Sequence, residues 1–216
     1  MKSLVSLLVV ACVAITSLSQ AVAQEKPAPA EPKKAAQPDL AKGEASFAAV
    51  CIACHGPGGS SVMPANPTLA QQHPEYLIKQ LQDFKSGSRA NPVMMGMAST
   101  LATDADMKNV AYWLASQTAK PGSTQDKDLS ALGERIFRGG VADRQIPACA
   151  GCHSPNGSGI PAQYPRIKGQ QNDYAVAQLT AFRDGVRKNS VPMSQVAAKL
   201  NDREIRALAD YMAGLR

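Results

Sequence analysis

The chain has 216 residues, of which 44% are apolar, 19% charged and 5% aromatic, and it carries a formal net charge of +6. That apolar share excludes a disordered polymer, and the length accommodates one large domain or two small ones. Five cysteines are too few for a densely disulfide-bonded scaffold, and the positive charge alone leaves nucleic acid, a membrane surface and an acidic partner all open.

The chain opens with Lys2 and a largely apolar run from Leu4 to Leu18, followed by Ala21-Val22-Ala23. A positive start, a short apolar stretch and a small-x-small pattern define residues 1–23 as a secretory signal peptide cut before Gln24. The run is shorter than the roughly 20 residues a spanning helix needs. Nothing later in the sequence is apolar enough to cross a bilayer, so the mature protein is expected to be exported and soluble. Cleavage removes Cys12 and leaves four cysteines. Residues 24–39, rich in Pro, Ala, Lys and Glu, read as a flexible leader.

Beyond the leader the chain repeats itself. Cys51-Ile52-Ala53-Cys54-His55 and Cys149-Ala150-Gly151-Cys152-His153 lie 98 residues apart. The same offset pairs Pro67 with Pro165, Tyr76 with Tyr174, Gln80 with Gln178, Phe84 with Phe182, Gly87 with Gly185 and Arg89 with Arg187. Upstream, Gly43 and Phe47 match Gly133 and Phe137, with eight extra residues before the second motif. A period near one hundred residues is too long for a solenoid, so each copy is a small domain. The first is expected over 40–118 and the second over 129–216, joined by a linker at 119–128 of Ala, Lys, Pro, Gly, Ser, Thr, Gln and Asp.

Each copy reads as short helices joined by long loops. A first helix opens after Asp39 or Asp128, whose carboxylates can cap free amides. A middle helix runs over 74–86 and 173–184 and stops at Gly87 and Gly185, where a positive φ is tolerated. A last helix starts at Thr103 with Asp106 three on, and at Asn201 with Glu204 three on. Val110, Trp113 and Leu114, or Leu208, Tyr211 and Met212, then recur at helical spacing. No alternating strand pattern is present. The class is all-α, and about eighty residues with so few large side chains make a marginal core that a buried flat cofactor would complete.

Two cysteines separated by two residues can form thioethers with the two vinyl groups on one edge of haem. The histidine that follows can then ligate the iron, so CxxCH reads as c-type haem attachment. Zinc ribbons separate their CxxC pairs by about 15–20 residues, whereas 94 residues intervene here. A thioredoxin-like pair would need a βαβ context that is absent.

A sixth ligand of soft sulfur would favour reduced iron. In the second copy Met193 is the sole methionine between His153 and the last helix, with Val196 at +3 and Leu200 at +7. In the first, Met94, Met95 and Met97 crowd together. Gapless counting puts Met95 opposite Met193, whereas the local pattern of Met97 at +3 and Leu101 at +7 puts Met94 there. Met94 is favoured, because the loop after a ligand must pack in a fixed way. Met97 and Met107 are assigned to core filling. His73, beside Pro74 at a helix start, is a rival ligand but reads better as an exposed polar residue. Pro67 and Pro165 lie twelve residues after each ligating histidine. They are either ordinary loop prolines or the site of a carbonyl that takes the imidazole Nδ1 proton.

Taken together, two CxxCH units, each followed by Pro, Tyr-x-x-x-Gln-Leu, Phe-x-x-Gly-x-Arg and a methionine, resemble the cytochrome c4 family over nearly the whole stretch from Leu40 to Arg216. The resemblance implies two tandem class I cytochrome c domains, each a small helical bundle around one covalent haem, with the propionate edges close together. It implies ligation of one iron by His55 and Met94 and of the other by His153 and Met193, with carbonyl contacts from Pro67 and Pro165. It also implies a periplasmic carrier, with association at the inner-membrane surface left open. Electrons would pass from a quinol-oxidising cytochrome complex to a haem–copper oxidase. Gln195 departs from the family by replacing the glycine that follows the methionine.

Charge is unevenly placed. Residues 40–118 carry five basic and five acidic side chains, whereas 129–216 carry twelve and seven, for a net of +5. A basic second domain can steer docking onto an acidic redox partner, and nucleic acid is not expected for an exported haem protein. Two other functions use a pair of haems. A two-haem peroxidase needs an open iron and acid–base groups in the distal pocket, which the ligand inventory does not supply. A haem subunit of a separate dehydrogenase, such as a sulfide-oxidising flavoprotein, is harder to separate by sequence.

Overall fold

Side chains that bond nearby backbone amides set the starts of five of the ten described helices. In this computed structural model, which describes residues 37–216, α1 (Leu40–Val50) begins where Asp39 accepts from the Lys42 amide at 3.1 Å. The expected signal peptide and the leader through Ala36 lie outside the described residues. Next come α2 (Ile52–His55) and α3 (Pro74–Ser86), the latter opened by a proline and closed at Gly87 with φ 78°. Then α4 (Pro92–Ser99) is capped by Asn91, and α5 (Asp104–Ser116) opens on a reciprocal capping box between Thr103 and Asp106.

The second copy repeats the order with α6 (Lys127–Gly139), α7 (Ala150–His153), α8 (Asn172–Arg183), α9 (Val191–Ala197) and α10 (Asp202–Gly214). Asn201 and Glu204 form the second capping box. The cap of α6 is Asp126, which accepts from the amides of Asp128 and Leu129 at 2.9 and 3.0 Å; the expected cap, Asp128, is already helical. Among the described residues there is no strand, only the isolated bridges Val141–Ile146 and Ile160–Tyr164. No described helix is long and apolar enough to cross a membrane.

Each domain has its own core, built on a crossing of its first and last helices. At α1 on α5, a Cβ added to Gly43 would lie 2.2 Å from the Asn109 carbonyl oxygen; at α6 on α10, one on Gly133 would lie 2.0 Å from that of Ala207. Only hydrogen lets the backbones approach that closely. The approach seats Phe47 4.9 Å from Trp113 and Phe137 5.3 Å from Tyr211, ring centre to ring centre. Met107 and Met212 are buried in these cores as expected, but Met97 is 39% exposed and fills no core.

The seam between the domains is polar and nearly two-fold. Arg89, stacked on Phe84, donates to Gln80 at 2.8 Å and, across the seam, to Tyr174 at 2.9 Å and Gln178 at 2.7 Å. Arg187, stacked on Phe182, donates to Gln178 at 2.9 Å and back across to Tyr76 at 3.2 Å and Gln80 at 3.0 Å. Burial pushes the Tyr76 phenol up, but the guanidinium groups of Arg187 and Arg89 outweigh it and hold its pKa below the ordinary value. His73 also belongs here. It is half-buried, with its Nε2 2.9 Å from the Ser158 carbonyl of the other domain, rather than exposed.

Candidate haem sites

Both CxxCH motifs occupy one short helical turn, α2 or α7, reached from α1 or α6. That turn leaves the second cysteine of each pair, Cys54 and Cys152, exposed and the first, Cys51 and Cys149, half-buried; none is in a disulfide. Burial pushes the Cys51 and Cys149 thiols up to about 11, which favours the neutral thiol. Among the described residues no group of three or more His, Cys, Asp or Glu gathers as a zinc site would require.

The histidines that close the motifs are buried, His55 at 6% and His153 at 8% exposure. Nδ1 of His55 lies 3.0 Å from the Pro67 carbonyl oxygen, and Nδ1 of His153 lies 2.9 Å from that of Pro165. A carbonyl can only accept, so Nδ1 carries the proton and Nε2 presents its lone pair. Burial holds both imidazoles below the usual histidine pKa, against the upward pull of the carbonyls, so the neutral, ligating form is favoured.

The methionines stand on short helices, α4 and α9, rather than in the expected loops. Both helices begin next to a proline, and both bury the residues at +4 and +7 from one methionine: Ala98 and Leu101 from Met94, Ala197 and Leu200 from Met193. The same steps from Met95 reach exposed Ser99 and Ala102. Met94 is half-buried, whereas Met95 is 46% exposed. Register and burial therefore pair Met94 with Met193.

The surroundings of the two motifs differ. Tyr164 turns its ring edge to His153 at a centroid distance of 6.0 Å, with its hydroxyl beside Cys152. Its positional counterpart Asn66 instead donates to the Cys54 carbonyl at 3.0 Å. Neither residue was singled out in the sequence, because neither belongs to a motif.

Two free thiols and a buried neutral imidazole with Nε2 available, set into a helical core of few large side chains, fit a thioether-bound haem. A helical fold carrying that donor set twice defines a tandem pair of cytochrome c domains. The Cytochrome c family model matches residues 40–118 and 130–216. Cytochrome c4 of Thiocapsa roseopersicina is 43% identical over 181 residues, covering 82% of this chain and 93% of that one. The crystal structure of reduced recombinant cytochrome c4 from Pseudomonas stutzeri superposes with a TM-score of 0.78 at 41% identity, covering 83% of this chain and all of that one. A thiosulfate dehydrogenase electron acceptor of Stutzerimonas stutzeri is 37% identical over 173 residues, covering 78% of this chain and 80% of that one. The chain belongs to the cytochrome c4 family and carries two c-type haems, and its two CxxCH motifs are those of Cys51 and Cys54 and of Cys149 and Cys152.

Proposed function

We propose that the protein is a periplasmic two-haem electron carrier that takes electrons from a quinol-oxidising cytochrome complex and passes them to a terminal haem–copper oxidase, with no catalysis of its own. The reading is carried by one observation: in both copies the buried histidine bonds through Nδ1 to a proline carbonyl, and a half-buried methionine stands in the same register on the following short helix. When bound, each haem supplies a one-electron ferric/ferrous couple. The chain's part is to offer Nε2 of His55 and His153 and the thioether sulfur of Met94 and Met193. Soft sulfur would favour the reduced iron, and a histidine and a methionine both given to each iron would leave the chain suited to electron transfer rather than to binding substrate at the metal. The Pro67 and Pro165 carbonyls hold the imidazoles in one tautomer and one orientation.

A second reading is supported by the 37% identity to a thiosulfate dehydrogenase electron acceptor: the same carrier serving a periplasmic dehydrogenase. The two differ in donor, and rates of reduction by a quinol-oxidising complex and by a thiosulfate-oxidising enzyme separate them.

The absorption spectrum tests the ligands. Oxidised protein is expected to show the weak band at the red end that reports methionine sulfur on iron. Met94→Ala and Met193→Ala should each remove about half of it, and Met95→Ala none. Loss of the band in Met95→Ala would reassign the first site, and rapid carbon monoxide binding to untreated reduced protein would favour an enzyme.

A further inference from the structure

The prolines that hold the two histidines are each followed by a residue in the seam between the domains. The peptide group that contains the Pro67 carbonyl also contains the Thr68 N–H, and the two are fixed in one plane. That N–H donates to Oε1 of Gln170, in the other domain, at 2.9 Å, while Nε2 of Gln170 donates to the Thr68 carbonyl at 3.0 Å. The reciprocal pair is present: the Arg166 N–H, in the peptide group of the Pro165 carbonyl, donates to Oε1 of Gln72 at 2.9 Å, and Nε2 of Gln72 donates to the Arg166 carbonyl at 2.8 Å.

Each glutamine therefore grips the neighbouring chain by both its donor and its acceptor. Each is also fixed from behind, since Oε1 of Gln72 accepts from the His73 amide at 3.0 Å and Oε1 of Gln170 from the Gln171 amide at 2.9 Å. The two glutamines are 98 residues apart, the offset of the duplication, so the device is built twice.

We propose that Gln72 and Gln170 are cross-domain positioning residues: Gln170 of the second domain sets the Pro67–His55 contact of the first, and Gln72 of the first sets the Pro165–His153 contact of the second. The inference rests on His55 and His153 being the iron ligands. Two physical effects act along each chain of bonds. The amide acceptor fixes the plane, and hence the aim, of the proline carbonyl. It also polarises that peptide group, because hydrogen bonds in series strengthen one another, and so makes the carbonyl a better acceptor for Nδ1–H. A better acceptor makes the imidazole a more basic ligand, which stabilises ferric iron and lowers the potential of the haem in the opposite domain.

The test uses the full two-haem protein with Gln72→Met, which keeps volume but removes both bonds, and Gln72→Glu, which keeps an acceptor for the Arg166 amide. At the wild-type midpoint of the second haem, Gln72→Met should raise its reduced-to-oxidised ratio at least threefold, leave the first haem unchanged and shift the His153 Nδ1 proton resonance. Gln72→Glu should recover most of the wild-type behaviour. Gln170→Met should produce the mirror result on the first haem. The haems are told apart by which resonances change in Met94→Ala and Met193→Ala. A shift confined to the haem of the mutated domain, an equal shift of both, or no shift of either overturns the proposal. An intact methionine band in those glutamine variants shows that the ligands stand, so that only the coupling has failed.

Discussion

The two halves share a plan and differ in what surrounds it. Glycine crossings, capping boxes, proline-held histidines and methionine helices recur in both, whereas surface and trim do not. The first domain is neutral and exposes Leu40, Ile52, Val62, Met63, Val93, Met95 and Met97; the second carries +5 and exposes only Val186 and Val191 among large apolar side chains. The second also has the eight extra residues before its motif. They form a turn at 142–144 that buries Ile146 and ties Arg144 to Glu204 of α10. What is common to both copies is what a helical crossing and a ligated haem demand; what differs is where the molecule meets solvent and partners.

The largest effects should come from the shared plan. Gly43→Ala and Gly133→Ala each force a methyl group to within about 2 Å of a backbone carbonyl on the partner helix, at 2.2 and 2.0 Å. Backbone cannot yield as a flexible side chain can, so each change should cost about 3 kcal/mol. Denaturant midpoints followed separately for the two domains check this. Near-equal losses uphold the equivalence of the crossings, and a loss in one domain alone breaks it.

A smaller effect separates the domains by pH. The Arg144 guanidinium bonds Glu204 through both carboxylate oxygens and holds its carboxyl below the ordinary value of 4.5. A depressed folded pKa means that the pair's stabilisation is complete above about pH 4.5 and is lost as the pH falls through the folded value. Glu204→Gln keeps a capping acceptor, should cost about 1–2 kcal/mol at neutral pH, and should flatten the acid dependence of the second domain. The positional counterpart in the first domain, Asp106, bonds only Thr103. Asp106→Asn should therefore move the acid profile less. Domain-resolved hydrogen exchange between pH 6 and 3 measures both, and an equal response would show that the insertion adds nothing.

How far this was readable from sequence follows the range of the interactions. Thr103 with Asp106, Asn201 with Glu204, Asp39 and Gly87 act within one turn, so their residue types announce the helix ends. The offset between Asp128 and Asp126 is the error expected where two aspartates stand close together and either can cap. The helices α4 and α9 were missed because seven or eight residues rich in small side chains carry no apolar period, and Met97 was misplaced because a flexible thioether fits core and surface alike. The seam was the least legible. Gln72, Gln170 and His73 find their partners 85 to 102 residues away, only once the two copies dock, and nothing in their spacing marks them.

The smallest effect is the one that bears on partners. A neutral apolar domain and a basic domain predict that long-range steering resides in the second half alone. Exposed Arg135, Lys188 and Arg203 are among its outward cations, and Lys42 is an exposed cation of the first. Electron transfer to an acidic oxidase should slow a few-fold as ionic strength rises toward physiological values, where charges separated by more than about 8 Å are screened. Lys188→Glu with Arg203→Glu should reduce both the low-salt rate and the steepness of that fall, whereas Lys42→Glu should leave the slope nearly unchanged. If both reversals act alike, steering follows net charge and the division between domains fails. If neither acts, the apolar side chains around α4 carry the encounter instead, and the rate should then respond to Val93→Ser.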